Sequence, residues 1–194
     1  MPIWAQWIAA ISLAFSATGL LISRSWRWSL GLLALQFFAA FWLSLVHWPL
    51  NMAATILVSG WMSVAALGIT CLNLNDIPAE ETSWPQGSTF RFFACGLVIL
   101  AISASAGNLA DWLPNASLPL AWGVLVLIGM GFLHLGMTLD PLRVIIGIST
   151  SLLGFEVMYT FIENSVLVAG LLALVSLCLA FTGCFLLNQG ENFA

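Results

Sequence analysis

Lysine is absent from this chain of 194 residues, and the only positive charges are Arg24, Arg27, Arg91 and Arg143. No basic patch exists that could neutralise a phosphate backbone, which excludes a nucleic-acid partner. Charge of either sign is scarce, at 6% of residues, against about 25% in an ordinary soluble domain. The net charge of -4 comes from eight scattered carboxylates rather than an acidic tail. A soluble fold of this size could not cover its surface with so few charges, whereas a chain dissolved in lipid has no such need. Cysteine is equally uninformative as chemistry. Cys71, Cys95, Cys178 and Cys184 form no CxxC pair; they sit in or beside apolar runs and read as small buried hydrophobes. There is no Gly-rich phosphate loop, no paired His ligands and no Ser-His-Asp set. His47 and His134 stand on different segments, each without a partner for a metal. No catalytic residue, cofactor or metal is therefore expected.

What the sequence does contain is apolar length, with 61% hydrophobic residues. A membrane-spanning helix needs about 20 apolar residues, bounded by charge, Pro, Asn or interfacial aromatics. By that rule the chain divides into seven spans, at about 3–22, 28–46, 50–72, 90–108, 118–138, 142–162 and 165–187. No basic region precedes the first, so it reads as a span and not as a cleavable signal. Short turns separate most spans; the one longer polar stretch runs from Asn73 to Ser88 and carries Asp76, Glu80 and Glu81. The expected fold is an all-α polytopic membrane bundle, treated as one domain over residues 1–194.

Charge placement orients it. With seven spans, all four arginines fall in or beside the turns after spans one, three and five. The positive-inside rule puts that side in the cytoplasm and the N-terminus outside, in a cell (inner or plasma) membrane. Trp4, Trp7, Trp26, Trp28, Trp48 and Trp112 fall near the expected interfaces. Trp42 and Trp61 lie deeper, as packing residues, and Trp84 belongs to the long loop.

Span six carries the chemistry. Glu156 lies 13 residues beyond Arg143, which at 1.5 Å per residue is roughly 20 Å into a core about 30 Å thick. A carboxyl there is costly unless it is neutral, paired or hydrated, so it is a candidate functional site. Ser149, Glu156 and Glu163 are spaced by seven and share one helical stripe, with Thr160 close to it and Tyr159 flanking it. These five residues form the expected proton or ion path, with Gln36 from the middle of span two as a further deep polar group. Gly147, Ser151 and Gly154 lie on nearly the opposite face, a small-residue surface that admits a close helix neighbour. Each polar group also has a structural alternative. Glu156 can be a neutral acid bonded to a neighbouring span, Glu163 can simply end the helix, and Gln36 can bridge helices.

Residues Leu153-Gly154-Phe155-Glu156-Val157-Met158 resemble the Gly-aliphatic-Glu-aliphatic-Met stretch of the small K (4L) subunit of NADH-quinone oxidoreductase. Related subunits occur in multisubunit cation/proton antiporters and hydrogenase-4. Pro141-Leu142-Arg143-Val144-Ile145-Ile146-Gly147 is similar to the turn and Leu-Ile-Gly run that open the second helix of that family. The resemblance implies a K-like three-helix unit over 118–187. Taken whole, with Arg24 to Gln36 included, the chain looks more like hydrogenase-4 component E. Two departures stand out. Ser149 occupies the position where the family's acid usually follows the Ile-Gly run, and span seven offers only Ser176 and Thr182 in place of a second acid. There is also a faint internal echo. Arg27-Trp28-Ser29-Leu30-Gly31 and Arg143-Val144-Ile145-Ile146-Gly147 share an Arg-x-x-x-Gly spacing.

The resemblance implies a small membrane subunit of a complex I-like assembly: a respiratory dehydrogenase, a membrane-bound hydrogenase or a cation/proton antiporter. Such a subunit is not catalytic alone; it contributes an intramembrane acid to a proton or sodium path and packs against other membrane subunits. The alternatives are a stand-alone small transporter with its site between spans two and six, and a non-transporting scaffold or assembly subunit.

Overall fold

The computed structural model describes residues 2–23, 25–74, 87–113 and 116–192. Arg24, most of the polar loop with Trp84, and the Pro114-Asn115 pair lie outside them. Seven α-helices account for nearly all of the described chain: α1 (Ile3–Ile22), α2 (Trp26–Ser44), α3 (Leu50–Asn73), α4 (Ser88–Trp112), α5 (Leu118–Gly136), α6 (Pro141–Tyr159) and α7 (Val166–Asn192). Proline marks the starts. Pro49 precedes α3, and Pro119 and Pro141 occupy the first turns of α5 and α6, where a missing N–H costs nothing. Within the helices, Ser and Thr hydroxyls such as those of Ser16, Ser44 and Thr70 donate back to carbonyls three or four residues earlier, so they bring no unpaired donor into lipid.

Six of the helices, all but α2, are long and apolar enough to cross a membrane. Helix α2 matches α5 and α6 in length, at 19 residues. Its Arg27, Gln36 and three tryptophans lower its mean hydropathy. It can be less apolar because it is central, packing against α1, α3 and α6. The chain is a multi-pass, all-α membrane bundle.

The helices form two rows. In one, α2 lies between α1 and α3; in the other, α6 lies between α5 and α7. The rows stack so that α1 meets α5, α2 meets α6 and α3 meets α7, while α4 lies outside against α5 and α1. Close approach depends on glycine where lipid offers no hydrophobic drive to associate. A Cβ on Gly60 of α3 would run into the Phe37 ring of α2, and one on Gly131 of α5 would run into the Ser151 hydroxyl of α6. The α5–α6 pair is the most extensive contact in the molecule.

Two helix ends differ from the sequence reading for a local reason. After Ser44 and after Tyr159 the chain tightens into turns closed by three-residue hydrogen bonds, Thr160 N–H to Val157 O, Phe161 N–H to Met158 O and Ile162 N–H to Tyr159 O among them. Helix α6 thus stops before Glu163, whose exposed side chain accepts from the Tyr159 phenol. Helices α4 and α7 run further than expected, to Trp112 and Asn192.

Candidate functional site

Glu156 sits one turn from the C-terminal end of α6 with 1% of its surface exposed. The Ser176 hydroxyl of α7 donates to its Oε1 at 2.6 Å. Ser63 of α3 in turn donates to the Ser176 carbonyl at 3.3 Å and to the Ser59 carbonyl at 2.8 Å, and Ser59 donates to the Thr55 carbonyl at 2.7 Å. The acid is thus the end of a polar column that joins α6, α7 and α3. Its Oε2 has no hydrogen-bond partner among the described residues. The adjoining fissure, bounded by Trp48, Thr55, Ile56, Ala169, Leu172 and Ala173, is too narrow for a water molecule. No cation pairs with the carboxyl among the described residues, and a buried carboxyl without such a partner is costly in its charged form.

The other polar residues separate into distinct groups. Gln36, fully buried on α2, accepts at Oε1 from the Thr150 hydroxyl of α6 at 3.2 Å, while its Nε2 finds no acceptor among the described residues. Thr150 lies on a different face of α6 from Glu156, so Gln36 and the acid are not joined. Ser149 is half-buried. The Thr160 hydroxyl donates back to the Val157 carbonyl. Tyr159 and Glu163 do come together: the phenol donates to Glu163 Oε2 at 3.1 Å, on the surface. Trp48 Nε1 donates to the Glu163 carbonyl at 3.2 Å and its ring meets Tyr159 edge-on. Gly147, Ser151 and Gly154 face α5, where added Cβ atoms on the two glycines would press on Leu135, and on Leu127 and Ile128, respectively.

The opposite end of the bundle gathers the described arginines. Arg91 of α4 donates to the Leu21 carbonyl at 3.3 Å, and Arg143 of α6 donates to the Ser23 carbonyl at 2.6 Å. Both meet the C-terminal end of α1, where open carbonyls and the helix dipole favour a cation. Asp140 lies 3.9 Å from Arg143 Nε. Burial pushes the Asp140 carboxyl above its ordinary range, against a lowering contribution from the Leu142 backbone N–H. Arg27 stacks over Trp26 at 5.3 Å. His134 is buried near this end, whereas His47 packs on Phe161 at the other. No group of three or more His, Cys, Asp or Glu among the described residues could hold a metal ion. The four cysteines are free thiols.

Sequence reasoning did not assign Ser176, Ser63, Thr150 or Trp48 to the site. One signal was available. Thr55, Ser59 and Ser63 recur every four residues, which draws a hydroxyl stripe down one face of α3. No family model, curated protein or solved structure matches the chain.

Proposed function

We propose that this protein is a small membrane subunit of a complex I-like ion-translocating assembly, whose contribution is the Glu156 carboxyl as a proton-exchanging group within the membrane. The observation that carries the reading is Glu156 itself. It is almost fully buried, held through one oxygen by Ser176 and unpartnered at the other. A carboxyl so placed changes charge at high cost unless its surroundings rearrange, and that coupling between protonation and conformation is what an ion pump requires. The segment around Glu156 supplies the resemblance to the K subunit, and with it the expectation of partner subunits and of a respiratory dehydrogenase, hydrogenase or antiporter as the whole. In this reading the arginine end faces the cytoplasm and the N-terminus lies outside.

A scaffold role is the second reading, favoured by the absence of room for water beside Glu156. Ion-coupled turnover of the assembled complex carrying Glu156→Gln separates the two. Loss of turnover in an intact assembly supports the relay, and normal turnover leaves the scaffold.

A further inference from the structure

The depth of Glu156 is asymmetric. Three residues separate it from the end of α6 at Tyr159, about 5 Å of helix rise, whereas Arg143 lies about 20 Å away along the same axis. In the shorter direction the fissure beside the carboxyl is bounded by Trp48. Trp48 stands in the turn between α2 and α3, 3% exposed, and forms the outer wall of the fissure beside the carboxyl. Besides its packing in the apolar core, it is held by the hydrogen bond from Nε1 to the Glu163 carbonyl, the edge-on contact with Tyr159 at 6.3 Å, and a backbone bond to the Ser44 carbonyl at 2.9 Å. The first two can break without opening a helical hydrogen bond. Ala169, Leu172 and Ala173 line the α7 side, with Thr55 and Ile56 opposite on α3.

The longer direction is closed by a packed core. Beyond Ser63 and Ser176 toward the arginines, Leu67 of α3, Ile145 of α6 and Gly183 of α7 fill the space so closely that a Cβ on Gly183 would sit 3.0 Å from Ile145 and 3.1 Å from Leu67. Opening that side means separating three helices.

We infer that Glu156 exchanges with the aqueous phase at the arginine-free end of the bundle, through the α3–α7 fissure, and that Trp48 is the side chain that closes this route. The inference deepens the relay reading and rests on it for its purpose, but the route itself is measurable without any turnover.

The experiment uses the full chain with its four cysteines replaced, in sealed vesicles, and a membrane-impermeant methanethiosulfonate reagent applied to one side at a time. The thiol introduced by Glu156→Cys reacts slowly with Trp48 in place. With Trp48→Ala it reacts about tenfold faster, the signature of a removed local closure, and only from the side of the arginine-free turns. Trp48→Phe, which loses the bond to the Glu163 carbonyl and part of the ring but keeps an aromatic plug, gives an intermediate rate. Ala173→Cys, which leaves Glu156 intact, repeats the comparison and serves if Glu156→Cys does not fold, and Trp48→Phe against the parent serves if Trp48→Ala does not. Reaction from the arginine side, a rate indifferent to residue 48, or no reaction in any background overturns the inference. None of these outcomes reads ion coupling, so a failed relay and a failed route are told apart.

Discussion

Ser176 and Glu156 meet at 2.6 Å across the α6–α7 boundary, and this hydroxyl is the only hydrogen-bond partner the carboxyl has among the described residues. Replacing Ser176 by Ala leaves a buried acceptor without its donor, a loss of about 1–3 kcal/mol. The variant should unfold at lower temperature in mild detergent than the parent. Ser105→Ala on the exposed face of α4, whose hydroxyl only donates back to the Ala101 carbonyl, serves as the reference for an unburied hydroxyl.

Glu156→Gln keeps volume and an acceptor for Ser176 but cannot titrate. Assembly with partner subunits should survive, and ion-coupled turnover should fall about tenfold or more, a barrier change of about 1.4 kcal/mol. Glu156→Asp retains part of the activity, since it titrates but falls one methylene short. Glu163→Gln matters less, because that carboxylate is exposed and bonded to Tyr159. A Glu156→Gln complex that assembles and pumps normally rejects the relay.

The glycines predict a sharp contrast in stability. At Gly131 a Cβ already runs into the Ser151 hydroxyl and the Gly147 carbonyl, so Gly131→Val overpacks, whereas a Cβ at Gly96 meets nothing within 4 Å and Gly96→Val starts from open space. Overpacking costs about 1–3 kcal/mol, while an open site shifts stability by about 0.5 kcal/mol or less. Thermal unfolding of the two variants side by side should give a large drop for the first and little change for the second.

Gln36 and Thr150 should be coupled energetically. A hydrogen bond between membrane helices contributes about 0.6 kcal/mol on average. A double-mutant cycle with Gln36→Leu and Thr150→Val should therefore return a coupling of roughly that size, the double variant costing less than the sum of the singles. A zero coupling rejects the bond as a stabilising link between the two rows.

Topology is testable at two positions in the short turns. Leu139, between α5 and α6, is 94% exposed, and Asn164, between α6 and α7, is exposed too. Leu139→Cys should label from the cytoplasm and Asn164→Cys from outside. Labelling of both from one side means that α6 does not cross.

The architecture was largely legible because a bilayer imposes length. Pro49, Asp140-Pro141 and Arg27, Arg91 and Arg143 break the apolar runs at places where helices begin. The site was less so. Heptad spacing assigned Glu163 to the stripe of Glu156 on the premise that the helix continued, and the tight turn after Tyr159 removes the premise. The partner of Glu156 could not be read because Ser176 is 20 residues away on another helix, and spacing within one helix does not say which neighbour a face meets. Likewise Thr150, not Ser149, turns toward Gln36. Adjacent residues point about 100° apart on a helix, so an error of one position changes the partner altogether.

Synthesis runs from the N-terminus, and α1 is made first. Its last carbonyls, at Leu21 and Ser23, are held by Arg91 and Arg143, 70 and 120 residues further along the chain. Until α4 and then α6 emerge, the end of α1 has only interfacial water to satisfy it. The helix is thus fully tied only when six of the seven have been inserted, and a nascent chain halted between α4 and α6 carries α1 with one tether out of two. Truncation after α5 should leave a bundle whose first helix frays at its arginine end, a part that becomes fixed late although it was among the first to be made.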